Sequence, residues 1–492
     1  MQIIEHAVLF ILTAMRRCLL GFGLLLLGGC AGFSADGGFA PVQQASQQHL
    51  EKDVLWAKTP QQRSELAVRV QQLLAEPLSV DAAVQVALLN NPGLQASFEQ
   101  LGISEAELVQ AGRLPNPGFS WGRREQGSEV KYEQSLHLNL AQLIAMPLTE
   151  KIEASRFQQV QRQTSLAVLE LASQTRTAWY QAVAAEESQT YARQVMEAAE
   201  AGAELSRRMQ SVGNYSRLQQ AREQSFYHDA GLQLIRAEQL RVQTREQLTR
   251  LLGLWGEQTA FTLQQRLPDL PATVEAMPDV ERQAMAQRLD IQAVRLDSQR
   301  LADNLGLTKT TRFINVLDVG VKRERSNEGP TERGYEISVE LPLFDWSGAK
   351  VAKAEAQYRQ MLNRAAETAI NARSQVREAY LSYHAAHELA LHYREQILPL
   401  RARIAEENLL LYNGMFISTF DLLADARLQI QAVESYLQAQ RDFWIAQANL
   451  DMAMLGPVNN PLSLARAADS AVAAVVELAL ERYGPPVYVR HE

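Results

Sequence analysis

Two stretches decide how this sequence folds: Leu317-Asp-Val-Gly-Val321 and Tyr335-Glu-Ile-Ser-Val-Glu-Leu-Pro-Leu343. In each, apolar residues alternate with polar or small ones, which is the period of a strand with one apolar and one polar face. The polar loop around Gly329-Pro330 indicates a hairpin, with strands at about 314–324 and 335–343. Such a hairpin can turn one face to lipid and the other to water.

A second hairpin of the same type lies roughly 200 residues earlier in the chain. Phe119-Ser-Trp-Gly-Arg123 and Leu136-His-Leu-Asn-Leu140 flank the polar turn 126–129. This pattern predicts strands at about 118–125 and 130–142.

Each hairpin leads into a very long helix. Helix-forming residues dominate 149–212 and 348–412, and the two runs end at Gly213-Asn214 and Asn413-Gly414. At 1.5 Å per residue the first of these helices would be about 95 Å long. Shorter helices are predicted before each hairpin and after each turn, at about 78–112, 216–252 and 281–308, with a last one ending at Leu455.

The same unit therefore occurs twice: helix, strand, strand, long helix, turn, helix. The first repeat covers 78–253 and the second covers 281–456, which makes the fold class mostly α with a small β part. Three segments lie outside the repeats. They are an N-terminal linker (30–77), a connector between the repeats (254–280) and a C-terminal tail (457–492). The linker is rich in glutamine. The linker and the tail are candidates for a belt around the helices.

The N-terminus predicts export and lipid attachment. A basic pair and the short apolar run Leu19–Leu27 lead into Leu27-Gly-Gly-Cys30, which resembles a bacterial lipobox. Residues 1–29 are therefore expected to be a signal peptide and Cys30 the lipidated residue. The alternative is an ordinary signal peptide with an incidental cysteine. Ala31 stands where an aspartate would suggest inner-membrane retention, and so favours the outer membrane.

The composition excludes several classes of protein. The formal net charge is -8, without the basic stripe of a nucleic-acid-binding protein. The two cysteines, Cys18 and Cys30, leave no disulfide or thiolate metal site in the exported chain. His384, His387 and His392 do not converge on one side of their predicted helix, so no metal site is expected. No catalytic constellation or cofactor motif is present, which predicts that the protein is not an enzyme and binds no cofactor.

If this chain crosses a membrane, strands must do the crossing. After the signal peptide it has no run of about 18 apolar residues, which a membrane-spanning helix would need. Unpaired strand edges are too costly to be exposed in a bilayer, and even about eight strands enclose only packed side chains or one small ligand. Four strands per chain therefore predict an oligomer. A homotrimer would form a twelve-stranded transmembrane β-barrel above a periplasmic α-barrel of long helices.

Four stretches carry a family resemblance. Ala111-Gly-Arg-Leu-Pro-Asn-Pro-Gly-Phe119 resembles the segment that enters the first strand of TolC-like outer-membrane efflux proteins, and Leu341–Lys350 resembles their exit from the last strand into the long helix. Gly213–Arg222 and Tyr412–Arg427 resemble their helical tips at the periplasmic end. The resemblance implies a trimeric channel-tunnel that passively conducts small solutes, either drugs or metal ions. It also implies a periplasmic adaptor and an inner-membrane pump as partners, and a lipid-anchored subunit in the outer membrane that reaches into the periplasm.

The two helical turns are the candidate functional site, because the family's tips are where gating and adaptor docking are expected. Gly213 and Gly414 are expected to permit the turns. Asp421 and Asp425 lie four residues apart on one helix face and could form an acidic entrance ring. Asp421 could instead cap or solvate its tip. The first tip has Arg217-Leu218-Gln219 where the second is aligned with Phe420-Asp421-Leu422, so the ring would carry few charges.

Three neighbours of the first turn complete the set of candidates. They are Asn214, Tyr215 and Arg217. Tyr215 and Arg217 could latch onto a neighbouring helical hairpin, and an ordinary solvated tip is the alternative.

Two rival functions remain open in the sequence. One is a structural coiled-coil lipoprotein that braces the envelope without transport, and the other is a soluble periplasmic enzyme. The paired amphipathic strands favour the channel, because a brace does not need them. Aromatic residues near the predicted strand ends also fit a membrane interface, namely Trp121, Tyr132, Phe344 and Trp346.

Overall fold

The computed structural model describes residues 32–274, 276–311, 316–340 and 344–458. Over these ranges the chain is mostly helical and contains one four-stranded sheet, which confirms the predicted fold class. The predicted signal peptide, Cys30 and nearly all of the predicted tail lie outside the described residues. Within the described ranges, no helix has both the length and the hydropathy to cross a bilayer.

The predicted unit is present twice along the chain. Two short helices, a hairpin, a long helix and a shorter partner helix follow one another in each half. The elements are α1 (Ala40–Leu50), α2 (Pro60–Leu74), α3 (Val80–Asn90), α4 (Pro92–Ala111), β1 (Gly118–Gln126), β2 (Glu129–Asn139), α5 (Leu140–Ser211), α6 (Arg217–Leu252), α7 (Val280–Gln287), α8 (Leu289–Thr311), β3 (Leu317–Ser326), β4 (Glu332–Val339), α9 (Gly348–His392), α10 (Leu398–Asn413) and α11 (Thr419–Leu455).

The two hairpins join into one antiparallel sheet with the order β1-β2-β3-β4. The register pairs Phe119 with Leu136, Leu136 with Val321, and Val321 with Tyr335, so these side chains share a face. The apolar face comprises Phe119, Leu136, Leu138, Leu317, Val319, Val321, Tyr335, Ile337 and Val339. The polar face comprises Ser120, Gly122, Glu133, Ser135, His137, Asp318, Gly320, Lys322, Glu324, Glu336 and Ser338.

The first long helix begins earlier than the sequence indicates. The prediction places its start at residue 149, after Pro147, and extends β2 to residue 142. In the structure β2 ends at Asn139, whose side chain accepts a hydrogen bond from the backbone N–H of Gln142 at 2.7 Å and so caps the helix. The resulting helix α5 has 72 residues, about 108 Å, and contains Pro147 near its start.

The second long helix contains an irregular turn that the sequence analysis did not predict. A π-helical segment, Tyr393–Ile397, separates α9 from α10. Pro399 lies just inside α10. Its ring nitrogen cannot donate a backbone hydrogen bond, and widening the preceding turn is a common way to accommodate such a residue.

Two other predicted helices are divided, and the linker is largely helical. The predicted helix 78–112 is split at Asn91, whose side chain caps α4 by accepting the Leu94 N–H at 3.0 Å. The predicted helix 281–308 is split at Arg288, which is 1% exposed and donates to the Ala453 carbonyl at 2.9 Å. The segment 30–77, predicted as a linker, contains α1 and α2 in its described part.

The connector between the repeats is held by side chains of the helices that it crosses. After a short 3-10 helix it runs without regular structure, so its carbonyl groups need other partners. The Pro268 carbonyl accepts from Gln440 and Trp444 at 2.9 and 3.0 Å, and the Leu270 carbonyl accepts from Arg394 at 3.1 Å. These hydrogen bonds attach the connector to α11 and to the π-helical segment between α9 and α10.

A glycine contact at the end of α6 yields a stability prediction. Gly253 has a φ of +66°, and an added Cβ would lie 2.7 Å from the Asn90 carbonyl oxygen. Gly256 has a similar φ of +59° but open space around it. We expect Gly253→Ala to lower the free energy of unfolding by about 2–4 kcal/mol, and Gly256→Ala by about 1 kcal/mol. Thermal unfolding followed by circular dichroism measures both, and equal effects would contradict the close contact.

Candidate functional site

The first helical tip turns through a left-handed glycine. Gly213 has a φ of +84°, and the N–H groups of Asn214 and Tyr215 donate to the Met209 carbonyl at 2.9 and 3.3 Å. Ser216 then caps α6: its hydroxyl accepts the Gln219 N–H at 3.2 Å, and the Gln219 side chain accepts the Ser216 N–H at 2.8 Å. These reciprocal bonds form a capping box that fixes where α6 begins.

The second tip uses the same backbone geometry with different side chains. Met415 has a φ of +63°, and the Phe416 N–H donates to the Leu411 carbonyl at 2.9 Å. Ser418 and Asp421 form the second capping box, in which the Asp421 carboxylate accepts from the Ser418 N–H at 3.2 Å and from its hydroxyl at 2.7 Å.

Matching the two capping boxes corrects the predicted alignment. Ser216 corresponds to Ser418, so Gln219 corresponds to Asp421 and Gly213 to Met415. The left-handed position of the second tip is thus Met415 and not Gly414, whose φ is -80°. A Cβ on Gly414 would lie 2.7 Å from the Phe416 ring, so glycine there makes room for a side chain.

The two predicted ring carboxylates have different surroundings. Asp421 is exposed and serves in the capping box, as the alternative interpretation of this residue proposed. Asp425 is half-buried and accepts a short hydrogen bond from the amide of Asn408 on the partner helix α10. Asp421 therefore faces solvent, whereas Asp425 joins α11 to α10 through a hydrogen bond.

The remaining candidates of the first tip lie at its surface. Asn214 and Arg217 are exposed, and Tyr215 is half-buried. In the described part of the chain, Arg217 makes no ion pair, which leaves its guanidinium open to solvent. The proposed latch to a neighbouring hairpin stays a prediction.

An ion pair that the sequence did not predict links the two helical hairpins, α5–α6 and α10–α11, near their tips. Glu223 on α6 is 2% exposed, and its carboxylate lies 2.9 Å from the guanidinium of Arg427 on α11. The guanidinium also lies over the ring of Phe226, 4.3 Å from its centroid. Spacings of three and four place Glu223 on the same helix face as Phe226 and Ala230, so a carboxylate on a buried stripe was the available signal.

An apolar cluster continues this link away from the tip. Ala230 of α6 packs with Val195 and Ala199 of α5, and Ile430 of α11 is packed against the same cluster. One oxygen of Glu223 and the Nε atom of Arg427 are buried without a hydrogen-bond partner in the described structure. The Glu223 carboxylate is therefore shielded from water, while the Arg427 side chain is only partly buried.

Carboxylates along the hairpins differ in pKa according to their surroundings. Hydrogen bonding from Arg208, together with the charge of Arg207, holds the pKa of Glu204 below its usual value on the exposed side of α5. Burial raises the pKa of Glu434 on α11. Burial, aided by the charge of Glu434, also raises the pKa of Tyr191.

His387 and His384 contact other parts of the described chain. The buried His387 ring lies with Nε2 2.9 Å from the Pro271 carbonyl oxygen, and the His384 ring packs against Tyr380 at a centroid distance of 4.5 Å. Across the described ranges, no group of three or more His, Cys, Asp or Glu side chains is placed to hold a metal ion.

Comparison with known proteins identifies the fold. No protein-family model matches the chain. The chain is 22% identical to the cobalt-zinc-cadmium resistance protein CzcC of Cupriavidus metallidurans over 275 residues, which is 55% of this chain and 64% of CzcC. The match therefore spans less than two thirds of that relative.

Two solved structures have the same architecture. The outer-membrane channel OprN aligns with a TM-score of 0.66 at 15% identity, covering 79% of this chain and 92% of OprN. The Campylobacter jejuni outer membrane channel CmeC aligns with a TM-score of 0.63 at 16% identity, covering 76% of this chain and 85% of CmeC. The chain thus has the fold of these outer-membrane channels, and the resemblance to the TolC-like family is confirmed at the level of the fold.

Proposed function

We propose that the protein is a subunit of an outer-membrane channel-tunnel that passively conducts small solutes out of the cell envelope. One observation carries the proposal: the sheet has an apolar face, a polar face, and two outer strands, β1 and β4, that each pair on one side only within the described chain. The two faces suit a boundary between lipid and a wet lumen. Open strand edges are not tolerated in hydrocarbon, so copies must join β4 of one to β1 of the next.

A homotrimer fits the size of the sheet and the length of the helices. Three copies supply twelve strands, enough for a lumen that eight strands do not leave. The helices below would form a periplasmic duct, in which α5 alone covers about 108 Å. The rival role as a structural envelope lipoprotein accounts for the helices but gives no reason for a sheet with two contrasting faces.

The position of Ser34 supports the proposed lipid anchor on Cys30. The Ser34 N–H donates to the buried carboxylate of Glu105 at 2.6 Å. Glu105 lies about 9 Å along α4 from Ala111, where the chain approaches β1. From Ser34 the chain can reach at most about 14 Å back to Cys30, so a lipid there would be close to the membrane end of the helices.

The proposed partners and cargo follow from the proposed family. We infer that the tips meet a periplasmic adaptor, which connects the duct to an inner-membrane pump. The name of CzcC, a cobalt-zinc-cadmium resistance protein, supports metal cations as one class of cargo. Drugs are the other class, and the sensitivity of a deletion strain to metals, dyes and antibiotics distinguishes the two.

Neighbouring substitutions on β4 test membrane insertion. Ile337→Lys puts a charge on the apolar face, and we expect it to destabilise the inserted oligomer by about 2–4 kcal/mol and to reduce its yield. Ser338→Lys puts the same charge on the polar face and should be tolerated. Heat-resistant oligomers on denaturing gels and conductance in planar bilayers provide the measurements. Equal tolerance of both changes, or a soluble monomeric wild type, would refute the channel.

The Glu223–Arg427 ion pair yields a prediction for the resting tip. Glu223→Gln leaves a partly buried guanidinium without its counter-charge, at a cost of about 3 kcal/mol. We expect the two helical hairpins to separate more readily, so that the resting channel has a higher conductance. Glu204→Gln is the matched control, because its ion pairs with Arg207 and Arg208 lie within one exposed helix. A resting conductance that changes equally in both variants would reject the role of the pair.

The acidic-ring proposal now rests on Asp421 alone. Asp421→Asn retains a side-chain oxygen for the capping box but removes the exposed charge. We expect a smaller preference for cations over anions in planar bilayers, measured as a shift in reversal potential under a salt gradient. Asp425→Asn removes the same charge from a half-buried carboxylate beside Asn408, and we expect it to produce a smaller shift. Unchanged selectivity in Asp421→Asn would remove the ring.

A further inference from the structure

Arginines replace apolar residues on the apolar face toward its hairpin end. Arg323 lies two residues beyond Val321 on β3, and Arg325 lies two residues beyond that. On β4, Arg333 pairs directly with Arg323. These three residues, Arg323, Arg325 and Arg333, form the arginine cluster. All three are exposed, and like charges directly opposite each other in a sheet are destabilising.

On the opposite face of the same strands, the lysine side chains are paired with carboxylates. There, Lys322 pairs with Glu133, and Lys131 lies 3.5 Å from Glu324 and 3.4 Å from Glu129. By contrast, no carboxylate of the described residues lies within ion-pairing distance of any member of the arginine cluster. The two lysines of the polar face are thus paired with carboxylates, whereas the arginine cluster presents uncompensated positive charge.

A cavity of about 550 Å³ opens beside the arginine cluster on the same face. Arg323 and Arg325 line it together with Trp121, Tyr132 and Gln134. The Trp121 and Tyr132 rings lie 6.1 Å apart at an interplanar angle of 33°. The site therefore combines two guanidinium forks with an aromatic pair, next to purely apolar residues on the sheet.

The cluster would lie at the level of lipid headgroups if the sheet is inserted, and the inference rests in this respect on the proposed function. The long helices leave the sheet at its other end, so the hairpin end is the outward one. One row below the cluster, Val321 and Tyr335 face hydrocarbon. Aromatic residues and arginine side chains characteristically occupy the interface just above such a row.

We propose that the arginine cluster binds the phosphate group of an anionic lipid in the outer leaflet that surrounds the sheet. Guanidinium groups match phosphate oxygens in a bidentate manner, and a phosphate between Arg323 and Arg333 would relieve their mutual repulsion. The cavity beside Trp121 accommodates the adjoining sugar or glycerol part of the headgroup. The acyl chains then lie along the apolar face below.

Lipid retention by the full-length protein tests this inference. The purified oligomer is incubated with bisphosphorylated lipid A, monophosphoryl lipid A or phosphatidylethanolamine, and bound lipid is counted by native mass spectrometry after detergent exchange. We expect retention in the order of decreasing phosphate charge. The triple variant Arg323→Gln, Arg325→Gln, Arg333→Gln should retain lipid A at least about tenfold less well, because three charge-assisted contacts are lost.

Two controls separate a specific site from a general effect. The variant Lys131→Gln, Lys322→Gln removes positive charge from the polar face and should retain lipid A like the wild type. Replacement of all three arginines by lysine should restore part of the retention, since the charge returns without the bidentate fork. Equal retention by the wild type and the triple glutamine variant overturns the inference, as does a parallel loss of all three lipids.

Failure of the lipid inference can be told apart from failure of the proposed function. Heat-resistant oligomers and bilayer conductance are measured first on the same preparations. A wild type that neither assembles nor conducts refutes the channel itself. A wild type that assembles and conducts, but retains lipid A no better than phosphatidylethanolamine, refutes the phosphate site alone.

Discussion

Backbone groups cannot remain unpaired in hydrocarbon, and over the described ranges the sheet has an open edge on each side. That constraint gives the rest of the structure its form. In the proposed channel, further copies of the chain would have to pair with these edges, because the sheet, with its apolar and polar faces, does not close on itself within the described residues. The duplicated chain then supplies two hairpins per subunit, so that each hairpin delivers its chain into a long helix at the same end of the sheet. Helices of this length need neighbours to bury their apolar stripes, and the repeated partner helices provide them.

The same requirement for paired backbone groups explains how the middle of the molecule is held. The connector between the repeats has little regular structure in its described part. Its carbonyl groups form hydrogen bonds with side chains of α9 and α11. Trp179 does the same from α5, donating to the Leu78 carbonyl at 2.9 Å from a fully buried position. Side chains on long helices thus fasten non-helical segments across them. The connector is thereby attached to helices of the second repeat by hydrogen bonds rather than by a disulfide.

Periodicity in the sequence predicts the elements well, because alternation and helical runs are local properties. The strand pairs, the duplication and both turns follow from it. Boundaries depend on single side chains that compete with those patterns: Asn139 starts α5 ahead of Pro147, and Asn91 splits a predicted helix. The spacing around Glu223 indicates a carboxylate on a buried stripe, but its partner Arg427 could not be predicted, since the ion pair joins helices from different repeats. For Gly414, the sequence suggested the right residue type for a turn but the wrong position, because the left-handed residue follows it.

The two tips show what duplication preserves and what it changes. Their backbones correspond residue by residue, since each has a left-handed residue and a serine-based capping box in the same places. The side chains that occupy these places differ in charge, with a neutral Gln219 opposite an acidic Asp421. In a ring of copies, neutral and acidic tips would therefore alternate around the entrance. The capping box fixes the backbone of each tip and forms with either a neutral or an acidic side chain at its third position. The charge at the tip can therefore vary without loss of the turn.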